Sequence, residues 1–249
     1  MKNKRLKILL TNDDGYTSVG LIKLTERLAK DHDVYVVAPD SQRSAFSHAI
    51  VFHNKITFTR LDEYHGAKLA YISSGTPANC AKFALTNLGV QFDLLIAGPN
   101  NGENIAFDIP YSGTVGAAEE GAMLNVSSVA LSRIHRGDNF ENCIDFAVKN
   151  IDRFLQFKKN GVLLNVNVPE DDVEIKGVIV THQGGALFAD YYVKTEDGDY
   201  YLDGDLVDFD ALPPCDAYYV EKGYVTLTPL KVDQTDYDSM KLVEKVFLP

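Results

Sequence analysis

Cysteine is scarce in this chain: 249 residues hold three, Cys80, Cys143 and Cys215. They are far apart, form no CxxC pair and leave one over, which argues against a disulfide framework and suits a reduced, cytoplasmic setting. Basic charge is also short. Lys and Arg number 24 against 35 Asp and Glu, a formal net charge of −11, and no Lys/Arg cluster stands out. That argues against nucleic acid or an anionic membrane as the main partner. A small anionic ligand stays open, because a bound metal inverts the local charge. No GxGxxG follows any apolar run, which sets aside a dinucleotide oxidoreductase. Long hydrophobic runs are missing too. The opening MKNKRLKILLT is basic and then apolar, but Asn12, Asp13 and Asp14 end the run, so neither a secretory signal nor a membrane span is expected. There is no internal repeat, low-complexity tract or disordered linker.

What is present is alternation. Short apolar runs at 6–11, 33–39, 68–74, 92–98, 127–132 and 161–169 read as strands. Between them lie helical patterns at 20–30, 76–88, 114–124 and 139–156. Strand–helix alternation with uninterrupted apolar strands predicts an α/β fold: a doubly wound, mainly parallel, Rossmann-like sheet covered on both faces. Beyond residue 170 the character changes. GVIVTHQ, ADYYVKTEDGDYYLDG and GYVTLTPL read as antiparallel strands, with a hairpin turn at EDGDYY where Asp-Gly suits positive φ. The expected organisation is an α/β core over 1–170 carrying the site, and a β extension with an oligomerisation tail over 171–249 that is not an independent domain.

In open α/β sheets ligands bind beyond the carboxyl ends of the strands. Four polar segments follow strands here. They are NDDG (12–15), APDSQRSAFSHA (38–49), GTPAN (75–79) and PNNGENIAFDIPYSGTVGAAEEG (99–121). Two adjacent carboxylates, Asp13 and Asp14, with an amide oxygen and hydroxyls make an all-oxygen donor set suited to Mg²⁺ or Mn²⁺. Ser112, Gly113 and Thr114 open a helix, whose free N–H groups and positive dipole end form an anion seat. Each piece has an ordinary structural reading: Asp-Asp and Ser-Gly-Thr as caps, Asn100 and Asn104 as turn residues, Ser44 as a loop hydroxyl. Convergence on one rim is what points to a phosphorylated ligand.

With these stretches assembled, the chain resembles the SurE family, the stationary-phase survival proteins, which are metal-dependent nucleoside-monophosphate phosphatases. The matching stretches are ILLTNDDG, VVAPDSQRSAFS, GTPANC, GPNNGENIAFDIPYSGTVGAAEEG and GYVTLTPLKVD. The resemblance implies one divalent metal ion per subunit, Mg²⁺ or Mn²⁺, held by Asp13, Asp14, the Ser44 hydroxyl and the Asn100 amide. Asp13 and Asp14 with Asn12 are the catalytic residues it implies. Asn104 lines the site on the substrate side, and Ser112, Gly113 and Thr114 contact phosphate. It also implies a β-hairpin extension, an exchanged C-terminal tail and a homodimer or homotetramer. Ala45, Pro99, Ala106 and Phe107 depart from the family pattern, where Gly, a β-branched residue, Gly and Asp are usual.

The expected activity is release of phosphate from nucleoside 5′-monophosphates, with 3′-monophosphates and short polyphosphate as further candidates. One rival is a Mg²⁺-binding receiver-like signalling domain, which needs a carboxylate where FDLLIAGPN offers Gly98, Pro99 and Asn100. Another is a nucleotide-binding regulator without turnover.

Overall fold

The computed structural model describes residues 5–209 and 212–248. In the first half, β1 (Lys7–Thr11), β2 (Asp33–Pro39), β3 (Phe58–Leu61), β4 (Leu69–Ser73) and β5 (Leu94–Asn101) alternate with α1 (Val19–Ala29) and α2 (Pro77–Asn87). A 3₁₀ helix (Ala106–Tyr111) and α3 (Gly113–Met123) follow, then β6 (Ser127–Arg133), α4 (Glu141–Lys149), α5 (Ile151–Gln156) and β7 (Val162–Val168). The remainder is β8 (Val178–Val180), β9 (Phe188–Lys194), β10 (Tyr200–Leu206), α6 (Asp216–Glu221), β11 (Val225–Lys231) and α7 (Met240–Phe247).

Among the described residues nine strands form one sheet, in the order β3-β4-β2-β1-β5-β6-β7-β11-β8. The pairs from β4 through β7 are parallel. Both faces are covered, as the uninterrupted apolar strands require. Ile8 and Leu10 pack with Leu21, Leu24, Leu28, Phe140 and Ile144 on one face. Leu9, between them, packs with Cys80, Ala81, Ala84, Ala117 and Ala118 on the other. From β1 the chain winds outward through β2 to β4, then crosses to β5 and winds the other way. The switch point therefore lies between β1 and β5, and the crevice beyond their carboxyl ends is where this architecture opens a ligand site.

The expected helix over 139–156 is two helices, broken at Asn150, whose φ −113° and ψ 10° leave the helical region. Antiparallel pairing beyond residue 170 holds for β9 with β10 and for β11 with β7, but β8 runs parallel to β11. The hairpin turn falls where Asp-Gly placed it, with Gly198 at φ +95°. Both β8 and β11 extend the main sheet, while β9 and β10 form a separate two-stranded ribbon.

Candidate active site

The chain leaves β1 into Asn12–Gly15, a turn held from inside. Asn12 is fully buried, and its Nδ2 donates to Gly15 O at 2.9 Å and Ser18 Oγ at 2.7 Å. Gly15 has φ +93°, and a Cβ there would come within 3.2 Å of the Ser41 backbone, so only glycine closes this turn. The two carboxylates are thereby aimed at different neighbours. Asp13 Oδ1 accepts from Thr114 Oγ1 at 2.6 Å, and Asp14 Oδ2 accepts from the Asn101 N–H at 2.9 Å.

Neither carboxylate has an ion-pair partner among the described salt bridges. Burial raises the Asp13 carboxyl to about 6; the Thr114 hydrogen bond works against that, and the Asp14 charge adds to it. Burial also raises Asp14, against the opposing pull of the Asn101 N–H and the Arg136 charge. A buried and a part-buried acid, both with elevated proton affinity and with only the Arg136 charge nearby, make a site that gains by taking up a cation.

The other walls come from three further loops. After β2, Ser44 accepts from Gln42 Nε2 at 2.9 Å, and the Arg43 N–H donates to Asp13 O at 2.7 Å. His48 ties this loop to α3, with Nδ1 2.6 Å from a Glu119 oxygen and Nε2 3.0 Å from Glu120, itself 2.6 Å from Lys82 Nζ. Hydrogen bonds to Glu119 and Glu120 raise His48 to about 9, so it is charged at neutral pH. After β5, the register against β6 shifts between Ala97 and Asn100, which carries the following residues outward. Asn100 Nδ2 donates to Gly102 O at 2.8 Å, so the carboxamide oxygen is the atom left for a ligand. Then α3 begins at Ser112, whose Oγ accepts from the Val115 N–H at 3.1 Å. A Cβ on Gly113 would lie 3.1 Å from Asp13 Cβ, so the helix N-terminus abuts the carboxylate pair.

One cavity of about 490 Å³ collects Asp13, Asp14, Ser44, Asn100, Asn104 and Ser112. Asn12, Gly113 and Thr114 stand behind its wall rather than on it. The loop after β4 does not reach the cavity: Thr76 and Asn79 form a capping box at the start of α2, and Asn79 Oδ1 accepts from the Val51 N–H at 2.8 Å. The fourth wall is the loop after β6, which brings His135 and Arg136 into the lining. It is anchored by the Glu103 carboxylate, which accepts from the His135 N–H, and by Asn101 Oδ1, which accepts from the Gly137 N–H. Glu103, Asp108 and Tyr111 also line the cavity. Nothing in RIHRG signalled this role; only the position of β6 beside β5 shows it.

Two of the residues that depart from the family pattern have a structural signature. Ala45 and Ala106 take the left-handed conformation at φ +57° and +51°. A side chain pays about 1–2 kcal/mol there, so the glycine usual at both places is the less strained choice.

Among the described residues no group of three His, Cys, Asp or Glu is placed to hold a metal. The available set is instead two carboxylates, the Ser44 hydroxyl and the Asn100 carboxamide oxygen, all hard donors of the kind Mg²⁺ and Mn²⁺ prefer. Four carboxylates line the cavity against the Arg136 guanidinium, so an anion enters readily only if a further cation offsets them.

The family model for the survival protein SurE matches residues 8–190. The chain is 40% identical to the 5′-nucleotidase SurE of Clostridium botulinum (strain ATCC 19397 / Type A), covering 98% of this chain and 100% of the relative. It is 36% identical to the 5′-nucleotidase SurE of Clostridium beijerinckii, covering 97% and 99%. A crystal structure of the SurE protein from Aquifex aeolicus superposes with a TM-score of 0.84 at 33% identity, covering 96% of this chain and 99% of that one. By sequence along nearly its whole length, and by fold, the chain belongs to the SurE family.

Proposed function

We propose that this protein is a 5′-nucleotidase that releases inorganic phosphate from nucleoside 5′-monophosphates, using one divalent cation, Mg²⁺ or Mn²⁺, held by Asp13, Asp14, Ser44 and Asn100. The observation that carries this reading is the unpaired Asp13–Asp14 couple set against the N-terminus of α3 in one acidic cavity. When bound, the cation supplies positive charge for the phosphoryl oxygens. Ser112, on the cavity wall at the N-cap of α3, holds the phosphate from the other side, with the positive end of the helix behind it. Thr114 acts one step back, donating to Asp13 Oδ1 and fixing that carboxylate for the cation. Asn12 braces the turn that presents both acids. Tyr111, largely exposed at the rim, offers a ring face for a base. This reading favours water over Asp13 or Asp14 as the attacking group, because a carboxylate that holds the cation would be a poorer nucleophile. Nucleoside 3′-monophosphates and short polyphosphate share the phosphoryl end that this site grips.

The same reading includes assembly. Leu242, Val243, Val246 and Phe247 of α7 are exposed, as are Tyr192, Tyr200 and Leu202 of the β9–β10 ribbon. Apolar surface on an amphipathic helix and a lone hairpin calls for a partner, and exchange of the tail in a homodimer or homotetramer supplies one. The three cysteines are free and buried, which fits a cytoplasmic setting.

A phosphate-release assay across nucleotides, with chelator and then with added Mn²⁺ or Mg²⁺, tests the proposal. Release that stops in chelator and returns with metal supports it. Full activity in chelator, with no metal retained, overturns the metal assignment, and nucleotide binding without release would leave a regulator.

A further inference from the structure

Strand β7 reads VLLNVNV, and its two asparagines are an anomaly. Asparagine is a poor strand residue, and a carboxamide inside a sheet is costly unless its polar atoms are satisfied. Asn165 and Asn167 are both fully buried. They lie two residues apart, so they share one face of the sheet. Both reach the same target, the backbone of Asn104 in the loop after β5. The Asn104 N–H donates to Asn167 Oδ1 at 2.9 Å. The Asn104 carbonyl accepts from Asn165 Nδ2 at 2.7 Å and from Asn167 Nδ2 at 3.0 Å. On the neighbouring strand Ser132 is in register with Asn167, and its Oγ accepts from Asn104 Nδ2 at 2.8 Å.

Asn104 is thus gripped at its N–H, its carbonyl and its side-chain nitrogen, and it lines the cavity. Asn165 Oδ1 is buried without a partner, so what this carboxamide contributes here comes from its nitrogen. The atom of Asn104 left for a ligand is Oδ1, which only accepts hydrogen bonds. It suits a donor, the attacking water or a sugar hydroxyl, better than a phosphate dianion.

We propose that Asn165 and Asn167 are positioning residues of the reaction centre: they clamp the Asn104 peptide so that its carboxamide oxygen orients a hydrogen-bond donor. The inference rests on the nucleotidase reading above. Misplacing a group by about 1 Å at a reaction centre costs on the order of 10²-fold. Asn165→Ser and Asn167→Ser, too short to span the gap, are therefore expected to lower kcat about 10–100-fold, with KM and Mn²⁺ affinity within about threefold of the parent.

The decisive comparison is a double-mutant cycle with Asn104→Ala, measured on folded protein as judged by circular dichroism. If the clamp acts through Asn104, Asn167→Ser in the Asn104→Ala background costs nothing further. Additive losses, or a parental kcat in the clamp variants, overturn the inference while leaving the nucleotidase reading in place; a parent that releases no phosphate counts against that reading instead. Should the β7 variants fail to fold, hydrogen exchange on the parent supplies the result. The Asn104 amide is expected to exchange with the slow class of the sheet, and exchange at loop rates overturns the clamp.

Discussion

Asp13→Asn tests the electrostatics of the site. Asp13 is buried against Thr114 and beside Asp14, and its carboxyl is raised from 3.8 to about 6. At neutral pH the metal-free protein therefore folds with an ionised group that burial disfavours. Each pH unit of displacement corresponds to about 1.4 kcal/mol, so the penalty is at most about 3 kcal/mol. The asparagine keeps the volume and still accepts from Thr114 Oγ1. In chelator near pH 7.5 the variant is expected to be more stable by about 1–3 kcal/mol, several degrees in melting temperature for a chain of this size. The sign follows from linkage. The folded state holds the Asp13 proton more tightly than the unfolded state, so parental stability falls as pH rises from 3.8 to about 6 and stays low above it. The advantage of the variant should shrink toward zero near pH 4. A fixed excess of Mn²⁺ should reverse the order, because the parent, with both carboxylates, binds it more tightly and gains more stability. Thermal unfolding of both proteins under these three conditions is the assay. An Asp13→Asn protein less stable than the parent in chelator near pH 7.5 would refute the picture of a carboxylate strained by burial.

Three further outcomes follow from other parts of the molecule. His48 is raised from 6.5 to about 9 by Glu119 and Glu120, so its contribution is full below 6.5 and lost as pH climbs through 9; His48→Gln should flatten the stability–pH curve across that window by about 1–2 kcal/mol after allowance for partial exposure, measured by denaturant titration. A Cβ on Gly116 would meet His48 Cα and Ser47 O at 2.8 Å; Gly116→Ala should push the Ser44 loop off α3, costing about 1–3 kcal/mol and weakening Mn²⁺ binding by calorimetry. Removing the residues after Pro229 should break the assembly and lower the melting temperature, and a truncated chain that scatters light as the same oligomer with the same stability would count against the exchanged tail.

The core was readable because its strands are uninterrupted apolar runs. Ile8, Leu9 and Leu10 announce two buried faces, and Pro77 after Thr76 announces the start of α2. That Asp13, Asp14, Ser44 and Asn100 come to one crevice was legible because the doubly wound topology brings the ends of β1, β2 and β5 together; the resemblance alone made them a ligand set. Elements without that contrast were hidden. β3 is a partly exposed edge strand, FTRL, with no apolar run. The 3₁₀ helix AFDIPY and α6 are six residues each, too short for a periodic pattern. The loop with His135 and Arg136 has no motif; it reaches the cavity only because β6 pairs with β5. Asn165 and Asn167 read as polar interruptions of a buried strand, and their purpose emerges only when Asn104, more than sixty residues earlier, is seen against them.

The central claim is that the Asp13–Asp14 pair is the chemical centre of a nucleotidase. Its most direct test is the rate of phosphate release from a nucleoside 5′-monophosphate by the parent and by Asp14→Asn, with Mn²⁺ saturating for each. The charge removed sits where the cation and the phosphoryl group meet, so the variant should be slower by about 10²–10³-fold, the usual worth of an electrostatic group at such a centre. Hydrolysis by Asp14→Asn at the parental rate would contradict the account.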